Sequence, residues 1–185
     1  TEIGAIPWVD YKLHDTPDTV AMRVKALIEN GARVITVHAS GGTKMMQAAI
    51  EAAGSSAEIW AITVLTSLAH EEVAIIFGKE RTTKEVARDL ALLAYKAGIR
   101  TVVCSAEEVG YLSSLQELAG MGFTVPGTRM AGQELGQQAR SGSPQDAVAK
   151  GATCLVIASG YTKANDPIGA LNAFTDAASQ GETTG

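Results

Sequence analysis

Two periods of apolar residues take turns along this chain from one end to the other. Short, nearly continuous apolar runs predict strands at Ala5–Asp10, Arg33–His38, Ile59–Leu65, Thr101–Ser105, Phe123–Val125 and Thr153–Ala158. Between them the spacing turns helical. It predicts helices from about Pro17 to Asn30, at Thr43–Ala53, near His70–Ile76, at Thr83–Ala97, Ala106–Ala119 and Pro144–Lys150, and from about Pro167 to Ala178. Gly31 stops the first helix, and the Ser40-Gly41-Gly42 turn starts the second. The tail Ser179–Gly185 is polar and reads as frayed.

Strands that are apolar throughout need cover on both faces, which alternating helices supply in a parallel sheet. The sheet is either open and doubly wound or closed into a barrel. Polar, chemically useful residues recur just after the strands: His38, Thr66-Ser67, Ser105, Pro126-Gly127 and Ser159-Gly160. A barrel collects its site from every such loop. No GxGxxG follows the first strand, so the dinucleotide-binding open sheet lacks its fingerprint. The expected class is therefore α/β, a (β/α)8 TIM-type barrel, with six βα units in this chain. A closed barrel uses eight strands in about 250 residues. Residues 1–178 thus read as a barrel domain short of two N-terminal units, with 179–185 as a tail. An open sheet would expose two edges, which natural proteins avoid, so the chain is expected to be a truncated version of a longer protein.

Composition adds exclusions. Apolar residues make up 46% and charged residues 19%, an ordered globular balance. With a net charge of -5 and no Lys/Arg stripe, nucleic acid is not an expected partner. An anionic small molecule needs only a few placed cations and stays open. Cys104 and Cys154 sit singly in apolar runs, without CxxC spacing or adjacent histidines, and read as small buried hydrophobes. No segment is long and apolar enough to span a bilayer, and the start lacks a signal-peptide profile. The expected location is cytoplasmic, without a membrane partner.

The segment Trp8-Val-Asp-Tyr-Lys-Leu-His-Asp15 carries the densest chemistry. In a strand, residues two apart share a face, so Asp10 and Lys12 point the same way. Asp15 follows on the loop into the next helix. A lysine between two carboxylates keeps its proton and suits proton donation better than nucleophilic attack. A solvated charge cluster on an exposed edge would show the same pattern. His38 sits at a strand end, where a hydrogen-bonded structural histidine is the commoner role. His14 and His70 carry no signal.

The run Asp10-Tyr-Lys12-Leu-His-Asp15-Thr-Pro-Asp-Thr19 resembles the DxKxxD signature of the orotidine 5'-phosphate decarboxylases in their bacterial form. Further segments match in order: Val37-His-Ala-Ser-Gly-Gly42, Ile62-Thr-Val-Leu-Thr-Ser67, Val103-Cys-Ser-Ala-Glu-Glu108, Val125-Pro-Gly-Thr-Arg129 and Gly136-Gln-Gln-Ala-Arg140. The resemblance runs from about Pro7 to Phe174. It implies decarboxylation of orotidine 5'-monophosphate to uridine 5'-monophosphate in pyrimidine biosynthesis, with no metal and no cofactor. Asp10 would lie beside the departing carboxylate, and Lys12 would stabilise and protonate the carbanion. Asp15 and Thr19 would reach across a two-fold axis into the partner's site, making a homodimer part of the function. Ser67 would read the pyrimidine edge, where a helix N-cap is its plain structural role. Pro126 would shape the loop over the base, and Arg129 and Gln138 would contact phosphate.

Two departures from that family stand out. The last strand should end in Ile-Gly-Arg, yet Val156-Ile-Ala-Ser159-Gly-Tyr-Thr162 puts Ser159 where the phosphate-clamping arginine belongs. Backbone N–H groups around Gly160, or Lys163, are the expected substitutes. An Asp that binds ribose and a Lys of the charged network would lie in the absent N-terminal units. Two further readings compete: a magnesium-dependent sugar-phosphate lyase on the same scaffold, and a non-catalytic phosphometabolite-binding or dimerisation protein.

Overall fold

The structure is a computed structural model that describes residues 4–130 and 142–182. Strands are β1 (Trp8–Leu13), β2 (Val34–His38), β3 (Glu58–Ile62), β4 (Thr101–Val103), β5 (Gly122–Pro126) and β6 (Cys154–Val156). Helices are α1 (Pro17–Glu29), α2 (Gly42–Ala53), α3 (His70–Phe77), α4 (Thr83–Ala97), α5 (Val109–Ser113), α6 (Pro144–Ala149), α7 (Ser159–Thr162) and α8 (Pro167–Glu182). The six strands follow one another in chain order, as successive βα units of a barrel do. Contacts group the chain into two compact units, Thr1–Thr63 with Asp89–Val102, and Val64–Arg88 with Val103–Gly185.

In the first unit, Pro17 presets the first turn of α1, where its missing N–H costs nothing. The helix buries Val20 and Val24 against α2, whose Met45, Met46 and Ala49 are likewise buried. Gly31 ends α1 in the left-handed region, at φ 92°, and the Ala32 amide donates back to the Leu27 carbonyl at 3.0 Å. Val34, Ile35, Thr36 and Val37 are all buried, which accounts for a β2 without polar alternation. β2 and β3 pair in parallel without interruption from Val34↔Glu58 to His38↔Ile62.

In the second unit, β5 and β6 pair in parallel from Thr124↔Cys154 to Pro126↔Val156. Ser143 caps α6 by accepting the Asp146 amide at 3.0 Å. Thr82 and Glu85 form a reciprocal capping box at the start of α4, with Thr82 N to Glu85 Oε2 at 2.8 Å and Glu85 N to Thr82 Oγ1 at 3.3 Å. Cys104 is buried and Cys154 half-buried, both as free thiols; burial pushes the Cys154 thiol up.

β3 ends at Ile62 rather than Leu65, β4 and β6 are shorter than expected, and α7 is a helix that the pattern did not predict; three further differences have an identifiable cause. β1 covers Trp8–Leu13 rather than Ala5–Asp10; Pro7 meets Arg33 and Val34 through its carbonyl alone, because it has no N–H to donate. The helix expected over Ala106–Ala119 reduces to Val109–Ser113 and a 3-10 turn at Gln116–Leu118. There Ser113 Oγ donates to the Lys150 carbonyl and Ser114 Oγ to the Tyr111 carbonyl, each at 2.7 Å, competing with helix continuation. The tail expected to fray from Ser179 is helical through Glu182, since α8 packs on α6 up to a buried Gly181. Among the described residues, no helix is long and apolar enough to cross a membrane.

A β-carbon at Gly181 would lie 2.5 Å from the Gln145 carbonyl oxygen and 2.8 Å from Val148 Cβ. Gly181→Ala is therefore expected to destabilise the protein by about 1–3 kcal/mol through overpacking. Urea denaturation checks this; an unchanged midpoint would mean that α8 does not seat on α6.

Candidate active site

The site is built where β1 leaves its register with β2. The Pro7 carbonyl accepts the Arg33 and Val34 amides at 2.9 and 3.1 Å, and Trp8 and Val9 then face Val34 and Ile35. Leu13 next faces Val37, so Asp10, Tyr11 and Lys12 lie opposite Thr36 alone. This is a bulge at a strand's C-terminal end, a place where bulges re-aim side chains beside active sites. Lys12 adopts φ 50°, the sole positive φ of a non-glycine among the described residues. A side chain there costs roughly 1–2 kcal/mol.

Thr36 is fully buried and joins both charged residues. Its hydroxyl donates to Asp10 Oδ1 at 2.7 Å and accepts the Lys12 amide N–H at 3.0 Å. The other Asp10 oxygen, Oδ2, meets Lys12 Nζ at 2.6 Å. The Lys12 and Asp10 side chains remain 39% and 44% exposed, so their ion pair adds little stability by itself. Both groups are solvent-facing enough for an incoming molecule to reach. Contrary to the expectation from spacing, Asp15 does not complete a second carboxylate flank for Lys12. Its Oδ2 pairs with Arg23 at 3.2 Å, while Oδ1 accepts the Thr16 amide at 2.7 Å. Thr19 lies in the first turn of α1, with its Oγ1 at 2.9 Å from Thr16 Oγ1.

His38 lies two residues beyond Thr36 on β2, on the same face. Its pKa is lowered from 6.5, first by burial, then by His14 and Lys12, against an upward pull from Asp10. The His14 and His38 rings stand 5.2 Å apart, tilted by 37°. A neutral His38 thus keeps a second cation away from Lys12.

In the second unit, Ser67 is exposed in the turn between β3 and α3 and is not the helix cap, a position held by Ala69. Pro126 closes β5, and Gly127 turns the chain at φ 76°. Arg129 is half-buried, with its amide donating to the Gly142 carbonyl at 3.0 Å and Nη1 to the Thr128 carbonyl at 2.9 Å. Gln138 lies outside the described residues. Ser159 and Gly160 open the four-residue α7, and both are half-buried. Among the described residues, no group of three or more His, Cys, Asp or Glu could hold a metal ion.

Thr36, His14 and His70 are among the residues whose partners in the structure were not signalled by motif or spacing. Thr36 was legible in part, since a period of two sets it on the face of His38. His14 and His70 gave no sequence clue because their partners come from other elements. His70 Nδ1 lies 2.7 Å from Thr83 Oγ1, and Nε2 lies 3.5 Å from Glu107 Oε2.

Fold and site together define an α/β barrel-type protein with a charged cluster at a strand's C-terminal end, where such folds carry their chemistry. Comparison with known proteins narrows the class. The model of the "Orotidine 5'-phosphate decarboxylase / HUMPS family" matches residues 4–174, and the chain belongs to that family. It is 38% identical over 180 residues to orotidine 5'-phosphate decarboxylase of Cutibacterium acnes, covering 95% of this chain and 75% of that protein. It is 40% identical over 166 residues to the Frankia casuarinae enzyme of the same name, covering 89% of this chain and 60% of the relative. The crystal structure of orotidine 5'-phosphate decarboxylase from Lactobacillus acidophilus superposes with a TM-score of 0.78 at 27% identity, over 96% of this chain and 77% of that one. Six parallel strands in this order are thus part of a TIM-type barrel.

Because the folded state holds the His38 pKa below its ordinary 6.5, the native protein binds that proton more weakly than the unfolded chain does. Stability from this group is full above the ordinary value and is lost as pH falls from there toward the lowered folded value. His38→Asn should narrow the gap in thermal midpoint between about pH 7 and about pH 5. An unaltered gap would remove His38 from the acid sensitivity.

Proposed function

We propose that this polypeptide is a nucleotide-monophosphate decarboxylase that converts orotidine 5'-monophosphate to uridine 5'-monophosphate. The observation that carries the reading is the Asp10–Lys12 pair, held at 2.6 Å at the end of β1, in a chain of this family. The bond between the pyrimidine ring and its carboxylate breaks, carbon dioxide leaves, and the electron pair stays on the ring carbon. The Lys12 ammonium stabilises that carbanion, gives it a proton, and regains one from solvent. Asp10 supports Lys12 by holding its ammonium at 2.6 Å from a carboxylate oxygen. A fixed cation aimed at developing negative charge is the largest catalytic term such a site can supply.

On this reading Ser67 and Pro126 bind the base, and Arg129, Gln138, Ser159 and Gly160 hold the phosphate. Asp15 and Thr19 serve a neighbouring copy in a homodimer, the commonest symmetric assembly. Ser159 is the weak point of phosphate binding, because a hydroxyl supplies no charge-assisted fork.

The deciding experiment is turnover of orotidine 5'-monophosphate by the purified chain, followed by pyrimidine absorbance with and without a chelator. Chelator-insensitive turnover is expected, reduced by about 100-fold or more in Lys12→Ala. Turnover that the chelator abolishes would favour a magnesium-dependent lyase, and binding without turnover a non-catalytic role. Ser159→Arg should lower KM roughly tenfold with little change in kcat, since a guanidinium–phosphate pair adds charge-assisted hydrogen bonds. A KM that does not fall would place the phosphate elsewhere.

A further inference from the structure

We infer that Thr36 is the positioning residue of the Asp10–Lys12 pair, fixing the charged geometry at the end of β1 without touching substrate. The kinetic part of this inference rests on the decarboxylase reading; the structural part does not.

The bulge poses a problem that the ion pair cannot solve. Three residues of β1 span the place of one residue in β2, so the regular ladder supplies no backbone carbonyl in step with the Lys12 amide. The Lys12 backbone also sits at φ 50°, which a side-chain-bearing residue leaves unless its surroundings over-determine it. An exposed Lys–Asp contact is too weak to impose that conformation. Thr36 is the buried group that does so. Its single hydroxyl proton goes to Asp10 Oδ1, and a lone pair of the same oxygen takes the Lys12 N–H. One atom therefore sets the carboxylate rotamer, the lysine backbone and, through both, the approach of Lys12 Nζ to Asp10 Oδ2. As a β-branched residue in a strand, Thr36 has few rotamers of its own, so the hydroxyl direction is preset. Serine keeps the two hydrogen bonds and loses that restriction. Valine keeps the shape and loses both bonds.

The test compares Thr36→Val, Thr36→Ser and Thr36→Cys in the 185-residue chain, with circular dichroism to confirm folding. The first readout is amide hydrogen exchange at Lys12 by NMR in the absence of substrate. Exchange is expected to quicken about tenfold or more in the Val and Cys variants and to stay near wild type in Ser. The second readout is kinetic: Thr36→Val should lower kcat by about 100-fold with KM nearly unchanged, and Thr36→Ser should recover most of it. Should Thr36→Val fail to fold, the Cys and Ser pair carries the comparison, because a thiol is a poor substitute for both bonds. Unchanged Lys12 exchange in a folded Val or Cys variant overturns the inference, as does wild-type kcat in either. If the wild type shows no turnover while Lys12 exchange responds to loss of the hydroxyl, the decarboxylase reading falls and the positioning role stands.

Discussion

Where β1 stops pairing evenly with β2, the chain places two opposite charges beside a β2 that is buried along Val34–Val37. An in-register strand would send Asp10 and Lys12 out side by side and leave their directions to solvent. The bulge instead folds Asp10, Tyr11 and Lys12 over one buried threonine, and a single hydroxyl ties the carboxylate to the lysine backbone. The geometry of the candidate site follows from that contact, as does the unusual φ of Lys12. Strain of this size is sustained because β2 is rigid: it is buried along Val34–Val37 and locked in register with β3.

Electrostatics at this end of the first unit are arranged by pairing of the exposed charges and by burial of His38. Lys12 and Asp10 neutralise one another while staying in reach of water. Asp15 is drawn off to Arg23, and His38 is biased toward its neutral form by burial and by two nearby basic groups. On the proposed decarboxylase reading, a carboxylate-bearing substrate approaching Lys12 would also meet Asp10, and the reaction would exploit the balance of that attraction and repulsion.

Family membership gives the cluster a frame. The chain covers 75% and 60% of the two relatives' lengths, so part of each relative is not matched by these 185 residues. Ser159 stands within a four-residue helix, at the position where the resemblance leads one to expect an arginine.

Element type was legible from the amino-acid pattern nearly throughout, because hydrophobic periodicity reports which faces are covered. α4 matches its expected range of Thr83–Ala97, and the alternation of strands and helices predicted a parallel α/β architecture. Departures fell where side chains compete with the backbone: β1 starts after Pro7, which offers β2 only its carbonyl, and Ser113 and Ser114 end α5. The C-terminal helix outruns its polar composition for a different reason, since Gly181 is buried by packing that no local composition encodes. The DxKxxD spacing singled out Asp10 and Lys12, as local motifs can, because both residues lie on one short segment. Thr36 as their anchor, Arg23 as the partner of Asp15 and His14 against His38 came only from the tertiary structure. Those contacts join residues distant in sequence or set by a bulge, and strand register, not residue identity, decides which atoms meet.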